Sequence, residues 1–364
     1  MKKQFLNICQ LLSLIVTLSL IIGCVQKPTL STKVQNFNQY PEKIILLQIV
    51  GLDFELLSNL EINENSDNKN KLNAFDDFSC IGVSWEYNLA KLRPPSWEVS
   101  LNHLSGQTHF KQTCEDYKQP PFWSYLNSAT DLPVVIVEHS TENRESILRV
   151  KDCGSDLVND WINGNSTYYF SMKNVSSKKV SLIDNHYLDF AKLKAGKYYK
   201  DRSCNLEGDC GTSISQNILA LYNAKLKYAK RYVLVYRDFD LEKKLQKGNV
   251  LSIQKKIKEI NQLIQTIKSS LLTSETLFLV LGESPRILLV PDQGIDLANW
   301  SGFKMENTKD GKEKNDRVEK SYQSLYTKVW AMGARSENFC GTYDSAQILQ
   351  RIFWSNTKKT PIWK

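Results

Sequence analysis

The chain has 364 residues, 47 Lys or Arg against 39 Asp or Glu, a formal net charge of +8, four histidines and eight cysteines. With 41% hydrophobic and 24% charged residues it has the make-up of a folded domain rather than a disordered one. The basic excess is not gathered into one arm, which argues against nucleic-acid binding and slightly favours an anionic envelope surface; the lack of any CxxC pair and the scarcity of histidine argue against a structural zinc cluster.

At the start of the chain, Lys2 and Lys3 precede an apolar run, Leu11 to Ile22, interrupted only by Ser13, Thr17 and Ser19. A spanning helix needs about 20 apolar residues, more than this run offers. Ile21-Ile22-Gly23-Cys24 resembles the lipobox of bacterial lipoproteins. That resemblance implies removal of residues 1–23, lipidation (palmitate included) at Cys24, and a polar tether over 24–40 holding the rest at a membrane of the cell envelope, facing the periplasm or the cell surface. An ordinary signal peptide or an N-terminal anchor helix is the competing reading.

Beyond Cys24 six cysteines remain, Cys80, Cys114, Cys153, Cys204, Cys210 and Cys340, an even number suited to three disulfides in an oxidising compartment. Cys204 and Cys210 bracket the tight polar loop NLEGD and are expected to pair; Cys80–Cys114 is the second bridge expected.

Residues 41–355 read as one α/β domain, mostly a parallel central sheet with helices on both faces. In EKIILLQIVGLDF, seven of the eight residues from Ile44 to Gly51 are apolar or glycine, the mark of a strand buried on both faces. The run stops at Asp53. Sites in open α/β sheets lie just beyond the carboxyl ends of strands, which makes Asp53 a candidate site residue; capping the next turn is its alternative role. Pro94-Pro95 then opens a helix over Ser96–Leu104, with Ser96 as a plausible cap. A helix over 122–128, a strand over 132–138, a helix over 215–228 and a strand over 232–236 follow. Apolar residues at 253, 257, 260, 263, 264, 267 and 271 mark a long helix, and strands over 276–281 and 328–332 precede a final helix over 345–353. Polar stretches at 61–72 and 304–320 read as rim insertions, and 356–364 as a tail. The tryptophans are dispersed and read as packing, with Trp85 and Trp97 the candidates for a groove.

Four of these segments together resemble the alkaline phosphatase superfamily, which also holds sulfatases and phosphodiesterases. EKIILLQIVGLDF looks like its first strand with the metal-binding aspartate at Asp53. SWEVSLNHLSG looks like its nucleophile segment, Ser96 preceding Ser105-Gly106 by nine residues. ETLFLVLGES resembles the strand that ends in an Asp-His pair, and VWAMGARSENFCGTYDSAQILQRIF resembles the terminal stretch. The resemblance implies a Ser96 nucleophile and two metal ions held by aspartates and histidines.

The departures weigh against that chemistry. After the strand 232–236, Asp238 and Asp240 remain as candidate ligands, but the positions four residues on hold Glu242 and Lys244 rather than histidine. The Asp-His pair falls on Glu283-Ser284, and the last histidine has only Tyr322 or Tyr326 nearby. A zinc pair cannot be assembled in the usual way. Asp53, Asp238, Asp240 and Glu283 retain the option of an all-oxygen site for a divalent metal ion such as Mg or Ca; as relics they are expected to cap loops or pair with Arg237 and Lys244. His103 or His109 would be the base if Ser96 were activated by an imidazole, and each also reads as a structural histidine. The expected function is therefore that of a pseudoenzyme with no cofactor, binding an unidentified envelope protein or ligand; a metal-dependent phosphoric or sulfuric ester hydrolase is the alternative.

Overall fold

The computed structural model describes residues 41–52, 56–57, 73–86, 94–126, 132–140, 142–172, 180–204, 210–247, 249–283, 288–289, 304–305 and 326–353. Residues 1–40, Asp53, Ser284, Tyr322, both expected rim insertions except Lys304–Met305 and the tail lie outside them. The described residues belong to one compact unit, Asn36–Lys364.

The strands are β1 (Lys43–Val50), β2 (Cys80–Trp85), β3 (Val134–His139), β4 (Thr167–Ser171), β5 (Ile183–Asn185), β6 (Tyr198–Asp201), β7 (Tyr232–Asp238), β8 (Thr276–Glu283), β9 (Leu288–Leu289), β10 (Lys304–Met305), β11 (Tyr326–Gly333) and β12 (Gly341–Asp344). Ten of them form a single sheet in the order β12-β2-β11-β8-β1-β7-β3-β4-β6-β5. All pairings in it are parallel except those of β11, which runs antiparallel to both β8 and β2. The helices are α1 (Ser96–Ser105), α2 (Phe122–Leu126), α3 (Ser155–Trp161), α4 (Ile214–Leu221), α5 (Asp240–Lys247), α6 (Val250–Ser270) and α7 (Gln347–Phe353).

The apolar run of β1 feeds two cores. Ile45, Leu47 and Ile49 pack on one face with α4 and the α6 stripe Ile253, Ile257, Ile260, Ile264 and Ile267. Ile44, Leu46 and Val50 pack on the other with Trp97, Leu101 and Leu104 of α1, Trp161 of α3 and Ile348 of α7. Each such side chain contributes about 1.5–3 kcal/mol by leaving water, which is why a strand apolar at all but Gln48 between Ile44 and Val50 is stable when covered on both faces.

The chain leaves β1 through Gly51, whose φ of +90° suits glycine. A Cβ there would come within 2.9 Å of Leu245 and 3.0 Å of the Glu242 backbone nitrogen. The Gly51 amide also donates to the Glu283 carbonyl at 2.5 Å. Glu242 at the start of α5 and Glu283 at the end of β8 are thus pinned on either side of the exit from β1, the carboxyl edge of the sheet.

Three disulfides join the six cysteines. Cys204–Cys210 is formed as expected. The expected Cys80–Cys114 bridge is not: Cys80 is joined to Cys340, and Cys114 to Cys153. The reason is the sheet. Cys80 opens β2, β12 lies parallel beside β2, and Cys340 immediately precedes β12, so pairing closes a sequence separation of 260 that spacing alone does not reveal.

Candidate functional site

Helix α1 is buried along its whole length. Its N-cap is Pro95, in an extended conformation and without a side-chain cap, so Ser96 is the first helical residue rather than the cap. The buried Ser96 hydroxyl points away from its own helix and donates to Glu242 Oε2 at 2.8 Å. Two turns on, His103 Nδ1 lies 2.9 Å from Glu283 Oε1, with both side chains fully buried. His103, one of the two bases named for Ser96, is therefore held by the carboxylate that ends β8, and His109 is exposed. His103 Nε2 and Glu283 Oε2 have no hydrogen-bond partner among the described residues.

Strand parity sends consecutive residues of β7 to opposite faces. Arg237 turns toward α1, where Nε donates to Gln48 Oε1 at 3.1 Å and Nη2 to Ser100 Oγ at 2.9 Å. Its ion pair is with Glu138 of β3. That carboxylate is saturated, accepting also from Ser146 Oγ at 2.6 Å, Tyr169 OH at 2.5 Å and the Ile147 amide at 2.9 Å. The burial of Tyr169 and its bond to Glu138 raise its hydroxyl well above the usual tyrosine range. Of the two bases expected to pair with the relic carboxylates, Lys244 does so with Asp240, whereas Arg237 pairs with Glu138 because the pleat places it on the other face from Asp238.

Asp238 turns toward α6. Its Oδ2 accepts from Tyr236 OH at 2.6 Å and pairs with Lys256 Nζ at 2.8 Å, while Oδ1 accepts the Asp240 amide at 2.8 Å. Lys256 is 1% exposed; its ammonium also sits 3.4 Å from Asp240 Oδ2 and donates to His139 Nδ1 at 3.2 Å. Lys244 completes the group, 2.9 Å from Asp240 Oδ2. An ammonium can only donate, so His139 Nδ1 is the lone-pair nitrogen and the ring is neutral. Burial, then the Lys256 charge, push the His139 pKa down to about 4. Burial opposes the Lys256 charge, but Asp238 and Asp240 outweigh it and raise the lysine above its usual range. Burial likewise opposes the Asp240 charge, and Lys256, His139 and Lys244 hold that carboxyl well below the carboxylate range.

These contacts decide whether the two metal ions implied by the family resemblance fit the described residues. They do not. Asp238 and Asp240 face an ammonium, Ser96 faces Glu242, and Glu283 faces His103. Among the described residues, the one group of three ligand-type side chains whose donor atoms already lie within 4.8 Å of one another is Asp201, Cys204 and Cys210, and the two cysteines are spent in a disulfide. Tyr326 is half exposed and lies edge-on to Trp85, ring centroids 4.9 Å apart. Trp97, expected as a groove residue, is instead buried against Phe110.

His139, Lys256 and Glu138 belong to these networks and were not singled out from sequence. Lys256 carried a signal: it lies three residues after Ile253 and four before Ile260, so it stands on the apolar stripe of α6. A lysine there must bury its charge against a partner. Glu138 and His139, ending an otherwise apolar β3, carried the same kind of signal.

The sequence matches no protein-family model and no curated protein. Solved structures do resemble this one. They include the alkaline phosphatase of the Antarctic bacterium TAB5, with a TM-score of 0.57 at 15% identity over 86% of this chain and 98% of that one. A cold-active alkaline phosphatase from a psychrophilic Shewanella gives 0.59 at 10% identity over 85% and 98%. The lipoteichoic acid synthase LtaP of Listeria monocytogenes gives 0.51 at 10% over 90% and 75%. A variant of the TAB5 enzyme has been solved with Mg bound. At such identities the likeness establishes the fold, α/β and alkaline phosphatase-like. No helix among the described residues is long and apolar enough to cross a membrane.

Proposed function

We propose, taking the alkaline phosphatase-like fold as premise, that this chain is a lipid-anchored protein of the bacterial cell envelope. In this reading it binds an envelope protein or ligand at the carboxyl edge of its sheet and does not turn over esters. The observation that carries the reading is the commitment of Ser96, whose hydroxyl donates at 2.8 Å to the Glu242 carboxylate four residues beyond Asp238, where the family pattern has a histidine. A serine attacks only once a base or a metal takes its proton. Carboxylates titrate far below serine hydroxyls, so this bond orients the hydroxyl without ionising it. The anchor rests on Ile21-Ile22-Gly23-Cys24. A tether over 24–40 would let the domain reach on the order of 50 Å from the membrane.

The test compares wild type, Ser96→Ala and Asp53→Asn on aryl phosphate monoesters, phosphodiesters and sulfates over a panel of divalent ions, alongside metal analysis of the purified mature protein. Background rates indifferent to both substitutions, without stoichiometric zinc, are expected. Metal-dependent turnover lost in both variants would replace this reading with that of an ester hydrolase using an atypical site. Separately, globomycin should block processing, and Cys24→Ser should release the protein from membranes; a precursor that keeps its N-terminus would remove the anchor.

A further inference from the structure

The group around Lys256 has the composition of a cation site whose cation is covalently attached. Two carboxylates from the end of β7 and the start of α5, Asp238 and Asp240, and the lone pair of His139 at the end of β3 all converge on one Nζ, at 2.8, 3.4 and 3.2 Å. The three donors come from two neighbouring strand ends and a helix start, and the lysine reaches them from α6, packed across that face. Lys244 balances the remaining charge, and Glu259 of α6 sits near enough that burial, opposed by Lys256 and Lys255, raises its carboxyl.

We propose that Lys256 is the resident cation of this cluster: together with Lys244 its ammonium neutralises Asp238 and Asp240, makes their burial independent of metal, and excludes a divalent ion from them while it is present. A divalent ion and an ammonium cannot share three donors at these distances, because the repulsion between them is large in a partly desolvated site. Removing the ammonium leaves two carboxylates and one imidazole that stand too far apart to grip an ion as they are, but that form a mixed oxygen and nitrogen set suited to Zn or Co once drawn together. The inference rests on charge at this cluster rather than on the absence of turnover, so it stands or falls apart from the reading above.

The experiment uses the full mature chain and Co(II), whose d–d absorption reports coordination, together with metal content after gel filtration and thermal unfolding. Lys256→Ala and Lys256→Met are each expected to unfold more easily than wild type without metal and to regain stability on Co(II) or Zn(II). Their Co(II) affinity is expected to exceed that of wild type by at least about 100-fold, the scale on which a nearby unit charge acts inside a protein. Adding His139→Ala or Asp240→Asn to either variant should abolish the absorption. Lysine variants that bind no more cobalt than wild type overturn the proposal, as does cobalt binding that survives both added substitutions. Should neither lysine variant fold, the wild type decides: Mn(II) must leave the His139 ring resonances, assigned through His139→Asn, unbroadened, and broadening overturns the proposal.

Discussion

Arg237 and Glu138, ninety-nine residues apart in sequence and both wholly buried, form an ion pair in which nearly every remaining donor and acceptor is also used. Removing one partner of a buried pair strands the other charge, at about 3–5 kcal/mol. Arg237→Met and Glu138→Leu should each lower the unfolding free energy obtained from urea titration by that order. The double variant should lose clearly less than the two losses combined, since no unpaired charge is left. Additive losses at constant m-value would show that the two charges are not coupled.

Ser96→Ala removes one donor from the Glu242 carboxylate, and loss of a hydrogen bond to a charged buried group costs about 1.5–3 kcal/mol. A stability loss of that order with unchanged background ester hydrolysis is expected. A fall in turnover with unchanged stability would instead assign the hydroxyl a chemical role.

The His139 pKa of about 4 makes stability depend on pH in a definite direction. In the unfolded chain the imidazole protonates near its ordinary 6.5, so between 6.5 and 4 the unfolded state binds more protons and stability rises with pH. The contribution is complete above about 6.5 and lost progressively as pH falls toward 4, about 3 kcal/mol in all at 1.36 kcal/mol per pKa unit. Asp240, held below the carboxylate range, adds a loss of the same sign at lower pH. Urea unfolding between pH 4 and 7.5 should follow this course, and His139→Asn should flatten it above pH 5. A wild-type profile already flat there would contradict the buried neutral imidazole.

Cys80–Cys340 closes a separation of 260 residues and Cys204–Cys210 one of only 6. Chain-entropy arguments give about 5 kcal/mol for a bridge of the first kind and about 2 for the second. Cys80→Ser with Cys340→Ser should therefore be the more damaging double substitution in thermal unfolding. Peptide mapping without reduction should return Cys80–Cys340 and Cys114–Cys153, and recovery of Cys80–Cys114 would contradict the β2–β12 pairing.

The frame was readable because it depends on local patterns. The run Ile44–Val50, the 253–271 stripe and the Pro94-Pro95 break each fix an element through its own periodicity or punctuation, and the structure places them at β1, α6 and the start of α1. β2 and β4 were missed for the opposite reason: their residues alternate or mix polar side chains, and only neighbouring strands make them strands. In the same way Asp238, Asp240 and Glu283 were visible as carboxylates at strand ends, but their partners were not. Lys256, His139 and His103 lie 18, 117 and 180 residues from the groups they hold, a distance that no pattern in one chain encodes. Asp53 stays a candidate outside the described residues.

The position of β12 also sets an order of events in synthesis. β2 emerges early, yet both of its sheet partners, β11 and β12, come from the last forty residues of the described chain. Until they arrive, this strand has no ladder to join and Cys80 no correct thiol to meet. In an oxidising compartment the first thiol to follow it out is Cys114, so oxidation in step with emergence would trap the wrong bridge. Correct maturation would then rest on exchange of that early bridge, and an isomerase, rather than the oxidant, would govern the yield of this protein.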